Sequence, residues 1–370
     1  MLRQVLFLIL TSLVAIRIAG APAAPPGGSP ATATTHPTRP EDVPAIEEPP
    51  DDTPATEASP TPAGTDEKPA APEAAPVPRT PPEDDLPPVK DWLEAQVELS
   101  RRGFSCGSID GVGGAQSAAA LKAFQRASGL RETGQLDKAT KRVLHLTAPA
   151  LAPYTFDVVD LSHLRPIPDT WVGKSQEPEM FFSTALELAG ERCRTAPSFL
   201  KKLNPTMNWQ SVLPGTVITA PSVERFVPPT HASRIHVRLA DHVLEAVDDG
   251  EQVIFHCPVS IARKVEKRPV GELHVQVVIP DPVYTWDPEL FPEYPESREL
   301  THKLILPAGP NNPVGIAWIG LDRTGYGIHG TPEPENVGRT ESHGCFRLAN
   351  WDAQVMLRLC WEGLPVEVEP

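Results

Sequence analysis

Twenty of the chain's 45 prolines fall between Gly20 and Lys90. Proline fixes φ and removes a backbone donor, so neither a helix nor a sheet ladder can run through so dense a stretch. Residues 22–88, rich in Ala, Glu and Thr as well, are therefore expected to form a disordered linker. Extended, it would reach about 200 Å. The packed part of the chain must lie downstream, where a 370-residue sequence still has room for two or three domains. The formal net charge of −15 comes largely from the acidic run between Glu41 and Asp85. That distribution reads as a solvated tail and excludes a basic nucleic-acid footprint.

The N-terminus has Arg3, an apolar run from Val5 to Ile16 and small residues around Ala19-Gly20-Ala21. Charge, apolar core and small residues in that order predict a signal peptide over residues 1–21, or an uncleaved anchor that would be the chain's one membrane contact. The expected address is outside the inner membrane, in the periplasm or cell wall. Cys106, Cys193, Cys257, Cys345 and Cys360 make an odd number, which in an exported chain leaves at least one thiol outside any internal disulfide. Cys257 with Cys360 is the pairing expected if both lie in the last domain.

Residues 89–148 read as three short helices: Asp91 to Arg102, a second capped by Ser117, and a third running from Asp137 to near Leu146. The run Gly103-Phe104, Ile109-Asp110-Gly111, Ser117, Phe124-Gln125, Gly129-Leu130 and Leu136-Asp137 resembles the three-helix peptidoglycan-binding domain. That resemblance implies binding to the wall. Residues 154–222 read as helix, helix and strand with no strand at the start. Leu203-Asn204-Pro205 and Leu213-Pro214-Gly215 are similar to a LysM module, which implies binding to glycan strands.

From residue 233 to 370 the pattern changes to strands with one helix, Asp352 to Trp361. A multidomain, C-terminally mostly-β chain is expected. Its chemically rich segment is Ile328-His329-Gly330, then a loop, then Ser342-His343-Gly344-Cys345-Phe346-Arg347-Leu348. A thiol nucleophile needs a base within reach and donors aimed at the developing oxyanion. His329 lies 16 residues before Cys345, far enough for the chain to fold back and set two strands side by side. A neighbouring imidazole is expected to lower the thiol's pKa. Two other readings stay open: a zinc-dependent peptidoglycan hydrolase, with His302 or Asp322 available to complete the ligand set, and a non-catalytic wall-binding protein.

The same segment, with Asn312-Pro313-Val314-Gly315, Trp318 and Pro269-Val270-Gly271, resembles the YkuD-type L,D-transpeptidase catalytic domain, although Arg268 stands where that family usually has threonine. The resemblance implies roles. Cys345 is the nucleophile, His329 the general base, and the carbonyl of Gly330 orients the imidazole. Ser342, His343 and Gly344 support the site or its oxyanion hole, and Arg347 supports the site or meets a substrate carboxylate. It also implies a reaction, 3→3 cross-linking of peptidoglycan stem peptides through a thioester, with hydrolysis as a variant. No metal or organic cofactor is implied. The partners are stem peptides and glycan strands, and carbapenem β-lactams would be covalent inhibitors.

Overall fold

The computed structural model describes residues 86–339 and 344–370. The signal sequence, nearly all of the linker, Ser342 and His343 lie outside the described residues.

The N-terminal domain has helices α1 (Trp92–Arg101), α2 (Ala115–Ala127) and α3 (Lys138–Lys141). Asp91 caps α1 by accepting from the Glu94 N–H at 3.0 Å. The expected cap of α2 at Ser117 is wrong. The helix starts after Gly114, and Ser117 sits inside it, buried, where its hydroxyl accepts from Gln96 Nε2 at 2.9 Å. Gln96 also takes the Gly111 N–H at 2.8 Å, so one buried amide ties α1, the Asp110-Gly111 turn and α2 together. The third helix is a single turn capped by Asp137, not a helix to Leu146. Past it the chain extends to pair with residues 87–89, the Val89 N–H donating to Leu144 O at 3.1 Å, over a small core made chiefly by Leu99, Leu121, Phe124 and Leu144. The end of the linker is already part of this domain: Pro88 bridges His145, and Pro87 accepts from the Leu146 N–H.

The middle module does begin with a strand. β1 (Leu151–Thr155) pairs antiparallel with β2 (Val217–Pro221), and helices α6 (Ala185–Arg192) and α7 (Pro197–Leu203) pack on the pair. The strand was illegible because a long insertion separates it from α6. That insertion carries two one-turn helices, α4 (Val158–Ser162) and α5 (Trp171–Ser175), each without a buried residue of its own.

The C-terminal domain is built on an eight-stranded sheet of order β11-β10-β9-β6-β12-β3-β4-β5. These strands are β3 (Arg234–Arg238), β4 (Val243–Val247), β5 (Val253–Pro258), β6 (Gly271–Pro280), β9 (Ala317–Leu321), β10 (Gly327–His329), β11 (Phe346–Arg347) and β12 (Pro365–Glu369). β6 is long enough to serve two neighbours. Its first half pairs with β12 and its second half with β9, with a bulge between Val275 and Val277. The bulge bends the sheet, and a single core joins Ile235, Leu244 and Phe255 from one half to Ile319, Ile328 and Phe346 from the other. Helix α8 (Asn350–Leu359) closes this core with Ala353, Met356 and Leu359. A separate hairpin, β7 (Tyr284–Trp286) with β8 (Leu304–Leu306), stands apart from the sheet. The expected disulfide between Cys257 and Cys360 is not formed; both are buried thiols of the same core.

The three modules are docked on one another. Residues 103–105 extend the sheet past β5: the Ser105 N–H donates to His256 O at 2.8 Å, and the His256 N–H donates to Gly103 O at 2.9 Å. This covers an edge that would otherwise present unpaired backbone groups. Arg126 on α2 reaches Glu245 at 2.6 Å, and Ser105 donates to buried Asp352 at 3.0 Å. Ile109 pairs with Thr195 of the middle module.

Candidate active site

β10 and β11 run parallel, with Ile328 opposite Phe346 and His329 opposite Arg347. Side chains alternate along a strand. Ile328 and Phe346 therefore share the core face, where both are fully buried. His329 and Arg347 share the other, and Cys345, two positions before Arg347, joins them. The same face opens into a cleft of about 460 Å³ lined by His329, Cys345, Arg347 and Gly344 together with Tyr326 and Trp318. Cys345, His329, Gly344 and Arg347 are thus brought together as the sequence suggested.

Two glycine contacts fix the imidazole. A Cβ on Gly330 or on Gly315 would run into the carboxamide of Asn350 at the start of α8. Gly315 takes φ +61°, a conformation that favours glycine. Asn350 is buried and also anchors the loop before β9, donating to Pro310 O at 3.1 Å. With the backbone held there, the Gly330 carbonyl accepts from His329 Nδ1 at 2.7 Å. That leaves Nε2 as the nitrogen that can accept a proton. The other side of the ring lies against Trp318, its cross-strand partner on β9, with centroids 5.8 Å apart. Asn350 and Trp318 are the positioning groups that sequence reading did not assign. The i to i+20 reach from Gly330 to Asn350 gave no local signal, and Trp318 entered only among the residues that carry the family resemblance, with no role of its own.

The electrostatics differ from the expectation. Burial is the largest influence on His329, and with the nearby Arg347 charge it outweighs the Gly330 bond, bringing the imidazole down to about 4. Burial likewise pushes the Cys345 thiol up, against the Gly327 N–H and Arg347, which pull it down. The thiol donates to Gly325 O at 3.5 Å. The imidazole therefore does not hold a thiolate at rest, because a charged pair would be more costly in this desolvated corner than a neutral one. At neutral pH the pair is thiol and neutral imidazole.

The residues considered as further zinc ligands are placed elsewhere. Asp322 meets His274 at 3.2 Å, and His302 is exposed. Among the described residues, the groups close enough to share an ion are His236, Glu367 and Glu369, which include neither Cys345 nor His329.

Residues 232–368 match the family model described as "L,D-transpeptidase catalytic domain", and residues 89–144 match "Putative peptidoglycan binding domain". The chain is 25% identical over 185 residues to "Putative L,D-transpeptidase YkuD" of Bacillus licheniformis, covering 50% of this chain and 93% of that protein. It is 28% identical over 170 residues to "Probable L,D-transpeptidase YbiS" of Escherichia coli K12, covering 46% of this chain and 53% of that one. Among solved structures, an L,D-transpeptidase from Mycobacterium smegmatis is similar at 20% identity with a TM-score of 0.29, over 43% of this chain and 65% of that one. The chain thus spans nearly all of the first relative but about half of the second. It carries a YkuD-type L,D-transpeptidase catalytic domain at residues 232–368 and a peptidoglycan-binding domain at residues 89–144.

Proposed function

We propose that the protein is a peptidoglycan L,D-transpeptidase that works through a thioester on Cys345. One observation carries this reading: the parallel β10–β11 register puts Cys345 on the face of His329, and the Gly330 bond leaves the imidazole's Nε2 available in the same cleft.

From a neutral pair, attack and proton transfer go together. The Cys345 sulfur bonds to the carbonyl carbon of the third residue of a tetrapeptide stem as its proton passes to His329 Nε2. Backbone N–H groups around Gly344 and Cys345 receive the oxyanion. The C–N bond to the terminal D-alanine then breaks, and the imidazolium returns its proton to the departing amine. In the second half a side-chain amine of another stem attacks the thioester and gives its proton to Nε2. The C–S bond breaks and the thiolate takes that proton back. Water in place of the amine makes the same enzyme an L,D-carboxypeptidase. Arg347 lies beside the reacting sulfur and, among the described residues, has no carboxylate within ion-pair distance, which suits it to a substrate carboxylate.

The order β1, α6, α7, β2 supports reading the middle module as LysM-like and glycan-binding. Together with the peptidoglycan-binding domain it would hold the catalytic domain on the wall after export. Sedimentation with purified peptidoglycan tests this: the Cys345→Ala protein should sediment like wild type.

The chemistry is tested by intact-mass analysis after adding imipenem. A covalent adduct on wild type and none on Cys345→Ala is expected. A folded wild-type protein that stays unmodified, or an adduct that persists in Cys345→Ala, overturns the thioester mechanism.

A further inference from the structure

The cleft beside Cys345 is not made by the catalytic domain alone. Its outer wall is aromatic: Tyr284 of β7, then Phe291 and Tyr294 from the turns that follow, and Trp171 from α5 of the middle module. Trp171 lies in the insertion between β1 and α6, a segment that contributes little to the core of its own module. Leu161 and Leu164 pack against that core, whereas Trp171 and Val172 pack against Trp286, Leu304 and Leu306 of the hairpin.

The hairpin has reason to need them. Two strands of three residues are too short to be stable by themselves. The Trp286 ring, fully buried, is held between two others: Trp171 stacks on it at 5.3 Å and 15°, and Phe291 at 6.3 Å and 9°. Tyr294 meets the Trp171 ring edge-on at 5.4 Å. Backbone contacts secure the same segment. The Val172 N–H donates to Glu296 at 3.1 Å, Met180 donates to Ala308 O at 2.8 Å, and Gly309 leaves no room for a Cβ against the Met180 carbonyl.

We propose that Trp171 is a positioning residue of the transpeptidase cleft: the middle module clasps the β7–β8 hairpin and so holds the aromatic wall against which the stem peptide is seated. As a statement about substrate this rests on the Cys345 reading above; as a statement about the hairpin it does not. The middle module is then part of the active site and not only a wall anchor. Trp171 acts through Trp286 and Tyr294 on the shape of the cleft, so its loss should weaken seating of the acyl donor more than the reactivity of the thiol. Displacing a group that seats a substrate by about 1 Å costs up to about 100-fold.

Two measurements on the full-length protein test this. Hydrogen exchange of residues 284–306 should become at least about tenfold faster in Trp171→Ala while strands β3 and β4 keep their protection. Equal protection of 284–306 in the two proteins overturns the clasp, whether or not the protein is an enzyme. In imipenem acylation the half-saturating concentration should rise about 10-fold or more, with the limiting rate constant changed by less than about threefold and Trp171→Phe recovering most of the loss. Faster exchange with unaltered acylation kinetics overturns the positioning role. A wild type that does not acylate removes the transpeptidase reading and with it the role in seating substrate; the exchange result still decides the clasp.

Discussion

The Cys345 corner and the seam around Glu245 both bury ionisable groups, and they resolve the cost in opposite ways. At the corner nothing fully compensates a charge, so burial wins: the imidazole falls to about 4, the thiol rises, and both rest neutral. At the seam two guanidinium groups and an imidazole converge on one carboxylate: Arg126 from the peptidoglycan-binding domain at 2.6 Å, Arg238 at 2.8 Å and His256 at 3.0 Å. Burial pulls Glu245 upward, but its partners together hold it down at about 2. A satisfied charge is suited to docking two domains. A neutral pair with one open acceptor is suited to moving a proton. The difference between adhesive and reactive sites in this molecule is whether partners are supplied.

The largest effect that sharpens the contrast is at the corner. His329→Ala should slow imipenem acylation by about 10²–10⁴-fold, the usual range for a positioned base, while leaving the melting temperature within a few degrees. Stopped-flow acylation checks it, and a rate within about threefold of wild type would remove the base from the mechanism.

Next comes Glu245→Gln, which should cost about 2 kcal/mol at pH 7, because it leaves two guanidinium groups that are partly solvated and so only partly stranded. The sign with pH follows from the lowered pKa. The carboxylate's contribution is fully present above its unfolded value of about 4.5 and is lost as pH falls toward 2, so wild type and variant should converge at pH 2 to 3 in urea melts.

Asp352 makes a third case, between the two. At the start of α8, burial outweighs the Arg194 charge, the Ser105 hydroxyl and the neighbouring Trp351, one carboxyl oxygen has no hydrogen-bond partner among the described residues, and the group rises to about 7. A carboxyl raised on folding makes the native state bind the extra proton, so stability falls as pH climbs from about 4 to 7. Asp352→Asn should therefore melt a few degrees higher than wild type at pH 8 and no higher at pH 4, as read by thermal denaturation at both pH values.

The smallest effect is on alkylation. With the thiol raised, Cys345 should react with iodoacetamide slowly at pH 7 and progressively faster above pH 9, with no plateau near neutrality.

How much of this was legible depended on distance along the chain. Cys345, Gly344, His329 and Gly330 lie within two short motifs whose separation suggested two strands side by side; the parallel register that joins them is a finding of the structure. Strand β3 was readable from its two-residue period, and β4 with β5 from the Asp248-Asp249-Gly250 turn between them. The cap at Gly114 was missed because Ser117 looked like a capping residue, whereas its hydroxyl is claimed by Gln96 from another helix. β1 was missed because its partner strand is far along the chain, Leu151 pairing with Pro221 beyond an insertion. The role of Trp171 was invisible for the same reason: its partners Trp286 and Tyr294 belong to another module. The direction of the Cys345 shift was misjudged because sequence reports neighbours but not burial, and here burial dominates.

The most direct measurement is the pH dependence of single-turnover acylation of the full-length protein by imipenem, followed by mass from pH 3.5 to 9. A neutral thiol–imidazole pair is expected to give a rate that is flat through pH 6.5 and falls only near pH 4, where His329 takes a proton. A rate that halves near pH 6.5, or that climbs about tenfold per pH unit toward 9 as a lone thiolate would, contradicts it.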